Sequence, residues 1–157
     1  MADYKDPENT IVMETTKGKV VIELRPDLAP GHVARIKELA REGFYDGIVF
    51  HRVIEGFMAQ CGCPHGIGTG GSSKPNLKAE FNDAPHKRGT CSMARAQNPD
   101  SANSQFFICF DDASFLNRQY TVWGQVSEGM ENIDKIKRGE PVRDPDSIIS
   151  MRVAADL

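Results

Sequence analysis

The chain is a series of short apolar stretches with period-two alternation, cut apart by glycine and proline, and this pattern restricts its fold more than any other feature. TIVMET (10–15) and KVVIEL (19–24) are rich in β-branched residues and flank Lys17-Gly18, which predicts a hairpin. IVFHRVI (48–54) and FMAQC (57–61) form a second pair around Glu55-Gly56. TCSMA (90–94), FFICF (106–110), TVWGQV (121–126) and SIISMRVA (147–154) predict further strands. Two helices interrupt them. Pro30 suits a first helical turn, HVARIKELARE follows with apolar residues at 33, 36, 39 and 40, and Gly43 ends the helix. The second is predicted from about Met130 to Arg138, ended by Gly139. Residues 62–78, rich in Gly, Ser and Pro, read as a long ordered loop.

Strands that do not alternate with helices argue against a parallel βαβ fold. A closed antiparallel barrel removes exposed edges and suits this number of strands, although the pattern alone does not separate barrel from sandwich. At 157 residues one domain is expected, large enough to form a core without staples. A net charge of −3 supplies no basic field for nucleic acid or an anionic membrane. No apolar run approaches the roughly 20 residues of a membrane span. The start, MADYKDPENT, lacks the basic and apolar regions of a secretory signal, so a cytoplasmic protein is expected. In that compartment Cys61, Cys63, Cys91 and Cys109 are expected to be free thiols, with Cys91 and Cys109 buried in strands.

Two stretches carry the chemistry. FHRVIEGFMAQ (50–60) sets Arg52 among Phe50, Val53, Ile54, Phe57 and Met58, with Gln60 following. SANSQFFICF (101–110) sets Gln105 beside Phe106 and Phe107. A fixed cation beside an apolar pocket suits a greasy substrate that carries a carbonyl. Together the two stretches resemble the signature of the cyclophilins, the peptidyl-prolyl cis-trans isomerases.

The resemblance covers about Ile11 to Ala154 of a single domain spanning 1–157. It implies a mainly β fold, an eight-stranded antiparallel closed barrel capped by two α-helices. It implies a monomer acting on proline-containing peptides and on unfolded or folding proteins. Arg52 matches the catalytic arginine, just after Phe50-His51. Phe57, Met58, Phe107 and Leu116 match the lining of the proline pocket. Gln60 and Gln105 match polar residues that hold the arginine and the substrate backbone, and Ala94, Arg95 and Ala96 match the segment that pairs with the peptide. No metal or cofactor is implied.

That chemistry needs only electrostatics. Resonance gives the peptide bond a rotation barrier of ~18–20 kcal/mol. In the twisted state the prolyl nitrogen regains a lone pair. A guanidinium bond to it forms only there, which favours the transition state over the ground state. A proline-peptide binding module with little turnover, on the same scaffold, is the rival reading.

Three departures from the family pattern stand out. Phe115 replaces a tryptophan whose ring nitrogen donates to cyclosporin, so activity with weakened cyclosporin binding is expected. Tyr120 replaces a histidine and keeps an aromatic wall. Cys61-Gly62-Cys63 stands where Gly-Gly-Asp is usual, and its spacing to His65 is unlike common zinc patterns. Tyr120, the stretch 94–107, which is one residue longer than in the eukaryotic form, and the compact size resemble bacterial forms.

Other motifs lead elsewhere. Gly66, Gly68 and Gly71 satisfy G-x-G-x-x-G, but Ser72-Ser73-Lys74-Pro75-Asn76 is poor helix material, so a tight loop is expected and not a phosphate site. His51 lies beside Arg52, but an extended strand points the two to opposite faces, and no G-x-S-x-G elbow exists. Asp111-Asp112 reads as a cap for the turn that follows.

Overall fold

A computed structural model describes residues 4–157; residues 1–3 of the MADYKDPENT stretch lie outside the described residues. The strands are β1 (Thr10–Thr15), β2 (Gly18–Leu24), β3 (Arg52–Ile54), β4 (Met58–Cys61), β5 (Thr90–Met93), β6 (Phe106–Cys109), β7 (Val122–Glu128) and β8 (Ile148–Val153). The helices are α1 (Pro30–Arg41) and α2 (Met130–Ile133). Every strand falls within or overlaps a stretch expected from the alternation.

The eight strands form one antiparallel sheet in the order β3-β4-β6-β5-β7-β2-β1-β8. The expected closed barrel is corrected here: the sheet is an open, curled half-barrel. No ladder joins β3 to β8 among the described residues. Only residues 47–50 run past the start of β8, through a single bridge at Val49 and Ser147. Gly47 donates to the Ile148 carbonyl at 2.7 Å and Phe50 to that of Asp146 at 2.8 Å. This is why the expected strand 48–54 shortens to Arg52–Ile54: its first half bonds to one neighbour and its second half to another. Register shifts at Glu14/Thr15, Val21/Ile22 and Cys91/Ser92 assist the curl, as bulges do.

The main core fills the concave side of the sheet. Trp123, Phe106 and Tyr45 meet edge to face, with ring centroids 5.3 and 5.5 Å apart. On α1, Val33, Ile36, Leu39 and Ala40 are all buried, as their spacing predicts. The local sequence does not cap this helix. Instead the Glu80 carboxylate accepts the N–H groups of Gly31 at 3.1 Å and His32 at 2.8 Å, satisfying two orphan donors next to Pro30.

The second helix is a further correction, since it ends at Ile133 and not near Arg138. The Lys137 N–H donates to the Asp146 carboxylate at 2.8 Å. Arg138 turns back to cap the carbonyls of Asp134 and Ile136, each at 2.6 Å. The backbone donor and acceptors that would continue the helix are thus diverted. Gly139 then exchanges both backbone hydrogen bonds with Val53 at 2.8 Å, laying residues 139–140 beside β3.

Candidate active site

The site is one row of the sheet seen from its convex side. In the ladder register Arg52 faces Gln60, Gln60 faces Phe107, and Phe107 faces Ser92. Directly opposite residues project to the same face of a sheet. Four strands therefore deliver a cation, an amide, an aromatic ring and a hydroxyl side by side. The next row brings Ile54, Met58 and Cys109 together. Met58, Phe107, Cys109, Ala113 and Leu116 form a buried cluster separate from the main core, with Ile54, Phe57, Ala94 and Tyr120 packed on it.

Over this cluster lies a slot of about 150 Å³, lined by Arg52, Phe57, Met58, Gln60, Ala94, Arg95, Phe107, Leu116 and Tyr120. Its base is apolar and one wall is cationic. Two of the five Arg52 donors are engaged: Nε–H to Glu140 at 3.0 Å and Nη1–H to Gln60 Oε1 at 3.3 Å. Nη2 has no hydrogen bond among the described residues. Arg52 is 39% exposed, so the guanidinium is braced yet reachable.

A second cavity of about 430 Å³ opens beside the slot and shares Gln60, Ala94 and Arg95 with it. Of the residues singled out from sequence, Ala96 and Gln105 line this cavity and not the slot. Gln105 Oε1 accepts from Gln60 Nε2 at 2.9 Å, and its own Nε2 donates to the carbonyls of Gly68 at 3.0 Å and Gly70 at 2.9 Å. Arg95 donates to the Gln119 carbonyl and stacks over Tyr120 at 4.6 Å, tying two walls together. Phe115 is 65% exposed outside the slot lining, and its ring lies 5.5 Å from that of Phe57.

Sequence reasoning missed two supports. Glu140 braces Arg52 from 88 positions away. His86 lies nearly parallel behind Phe107, with ring centroids 6.1 Å apart, and its Nε2 is 2.9 Å from Ser92 Oγ. Neither carries a local signal. His51 is buried, and burial, with the neighbouring Arg52 charge, lowers its pKa. Among the described residues no three His, Cys, Asp or Glu side chains gather as a metal site, so Cys61, Cys63 and His65 do not form one.

A model of the family described as "Cyclophilin type peptidyl-prolyl cis-trans isomerase/CLD" matches residues 10–153. The chain belongs to the cyclophilin family.

Relatives agree over nearly all of it. A probable peptidyl-prolyl cis-trans isomerase of Brucella suis is 54% identical, covering 99% of this chain and 87% of its own. Peptidyl-prolyl cis-trans isomerase B of Bacillus subtilis is 45% identical over 80% of this chain and 88% of its own. The crystal structure of cyclophilin AquaCyp293 from Hirschia baltica superposes with a TM-score of 0.90 at 33% identity, covering 97% of this cyclophilin and 76% of that chain. A Cryptosporidium parvum cyclophilin crystallised in the presence of the dipeptide Ala-Pro superposes with a TM-score of 0.85 at 27% identity, covering 92% and 98%.

Proposed function

We propose that this cyclophilin-type peptidyl-prolyl cis-trans isomerase takes the proline ring into the slot over Phe107 and that Arg52 is its catalytic group. The observation that carries the reading is the shared row of Arg52, Gln60 and Phe107. A proline ring seated on Phe57, Met58, Phe107 and Leu116 would bring its nitrogen to the cationic wall. Arg52 then donates to the nitrogen lone pair that exists only while the imide is twisted, and the bond is lost as resonance returns. Glu140 and Gln60 hold the guanidinium in place beforehand, so little reorganisation is needed at the moment of rotation. Gln60, Gln105 and the Ala94–Ala96 segment hold the substrate backbone, an arrangement with little demand on side-chain identity.

Substrates are proline-containing segments of peptides and of unfolded or folding proteins. The enzyme acts as a cytoplasmic monomer of one domain. Phe115 has no N–H with which to grip cyclosporin, so that ligand binds weakly, and nanomolar inhibition of the wild type would contradict this. A protease-coupled isomerisation assay tests the catalytic reading. Arg52→Ala should lower kcat/KM by roughly 10²-fold or more, the scale of one preorganised donor. An unchanged rate in a folded Arg52→Ala variant would remove it.

A further inference from the structure

The four thiols are not alike. Cys61, Cys91 and Cys109 lie within strands, and burial pushes their pKa up, that of Cys109 to about 12. Cys63 lies two residues beyond β4, in a tight reversal where the Gly66 N–H returns to the Cys63 carbonyl at 3.0 Å. Its Sγ accepts the N–H of Gly70 at 3.3 Å. Burial works against the thiolate here too, but backbone N–H groups of the loop, that of Gly70 foremost, hold the thiol below its ordinary range.

The same loop faces the active site with its carbonyls. Those of Gly68 and Gly70 are the two acceptors that orient the Gln105 amide. Gly70 is therefore held at its N–H by sulfur and at its carbonyl by Gln105. The chain continues through Gln60 to Arg52, with each hydrogen bond between 2.9 and 3.3 Å. The loop packs closely at two of its glycines. A Cβ on Gly62, at φ +95°, would meet the Ser104 carbonyl oxygen at 2.4 Å, and one on Gly70 would meet His65 Cδ2 at 2.6 Å.

We propose that Cys63 is a positioning residue for the isomerase reaction: its sulfur holds the N–H of Gly70, and through Gly70 and Gln105 it sets the placement of Gln60 and Arg52. The inference rests on Arg52 being the catalytic group. It requires an acceptor at position 63, so a carboxylate should serve and a methyl should not.

The test is a set of variants assayed for kcat/KM, each checked by thermal melting. Cys63→Ala should lose roughly tenfold, less than the ~10²-fold that a 1 Å misplacement can cost. Cys63→Asp should recover to within about threefold of wild type, on the same scale. Cys91→Ala, a buried thiol of the main core, should lose stability and keep its rate. A double-mutant cycle adds a readout that a merely structural role would not move. In a Gln105→Ala background Cys63→Ala should cost little more, because the path is already cut. Cys63→Val, which likewise offers no acceptor, takes its place in the cycle if Cys63→Ala does not fold. Additive losses in the cycle, a wild-type rate for folded Cys63→Ala, or a Cys63→Asp variant as impaired as Cys63→Ala would each overturn the proposal. These outcomes are distinct from failure of the catalytic reading, in which Arg52→Ala itself would keep its rate.

Discussion

Phe106 and Phe107 are neighbours in β6, both nearly without exposure, and they belong to different parts of the molecule. Phe106 points into the concave side, where it meets Tyr45 and Trp123 edge to face. Phe107 points to the convex side, where it forms the floor of the slot beside Arg52. Period-two alternation alone separates them. One strand thus serves the main core with one ring and the slot with the next, and equal burial does not mean equal surroundings.

That contrast can be broken by mutation. The largest effect expected is on stability: Phe106→Ala should cost about 3–5 kcal/mol, measured by urea denaturation, and activity should be lost only as the fold is lost. Phe107→Ala should lose less stability, because its cluster is small and open to the slot. Its kcat/KM should fall by about tenfold or more, on the scale of ~1–3 kcal/mol for a hydrophobic pocket contact. Equal stability losses with no loss of rate would erase the distinction.

A smaller effect sharpens the core side. Burial holds His32, His51 and His86 below the ordinary value of 6.5, so the unfolded chain binds protons more readily. Their contribution to stability is complete above that pH and is lost as pH falls from 6.5 through the lowered values. The urea midpoint should drop between pH 7.5 and 5.5, and part of the drop should vanish in His32→Gln. A midpoint that is flat or rises on acidification would contradict this. The smallest effect lies on the slot side. Phe115→Trp should tighten cyclosporin binding by about one hydrogen bond, roughly fivefold, read by calorimetry.

Much of this division is legible in the sequence, and the reasons for the rest are physical. Strands β1 and β2 and helix α1 follow from local periodicity and from Lys17-Gly18, Pro30 and Gly43. The pairing of Arg52 with an apolar slot follows from two motifs about 50 residues apart, through family resemblance and not through spacing. Whether the sheet closes depends on a ladder between β3 and β8, a contact between distant segments that alternation cannot report. The length of α2 is decided by Asp146 and Arg138, which take over its terminal hydrogen bonds. Glu140, Glu80 and His86 act across long sequence separations, on partners that no local pattern names.

The central claim is that Arg52 accelerates rotation and does more than hold peptide. Exchange NMR on a proline peptide measures cis–trans interconversion on the enzyme separately from affinity. In Arg52→Ala the dissociation constant should stay within several-fold of wild type, while the on-enzyme interconversion rate falls by roughly 10²-fold. An interconversion rate that persists in Arg52→Ala, or that falls only as far as binding does, would contradict the account.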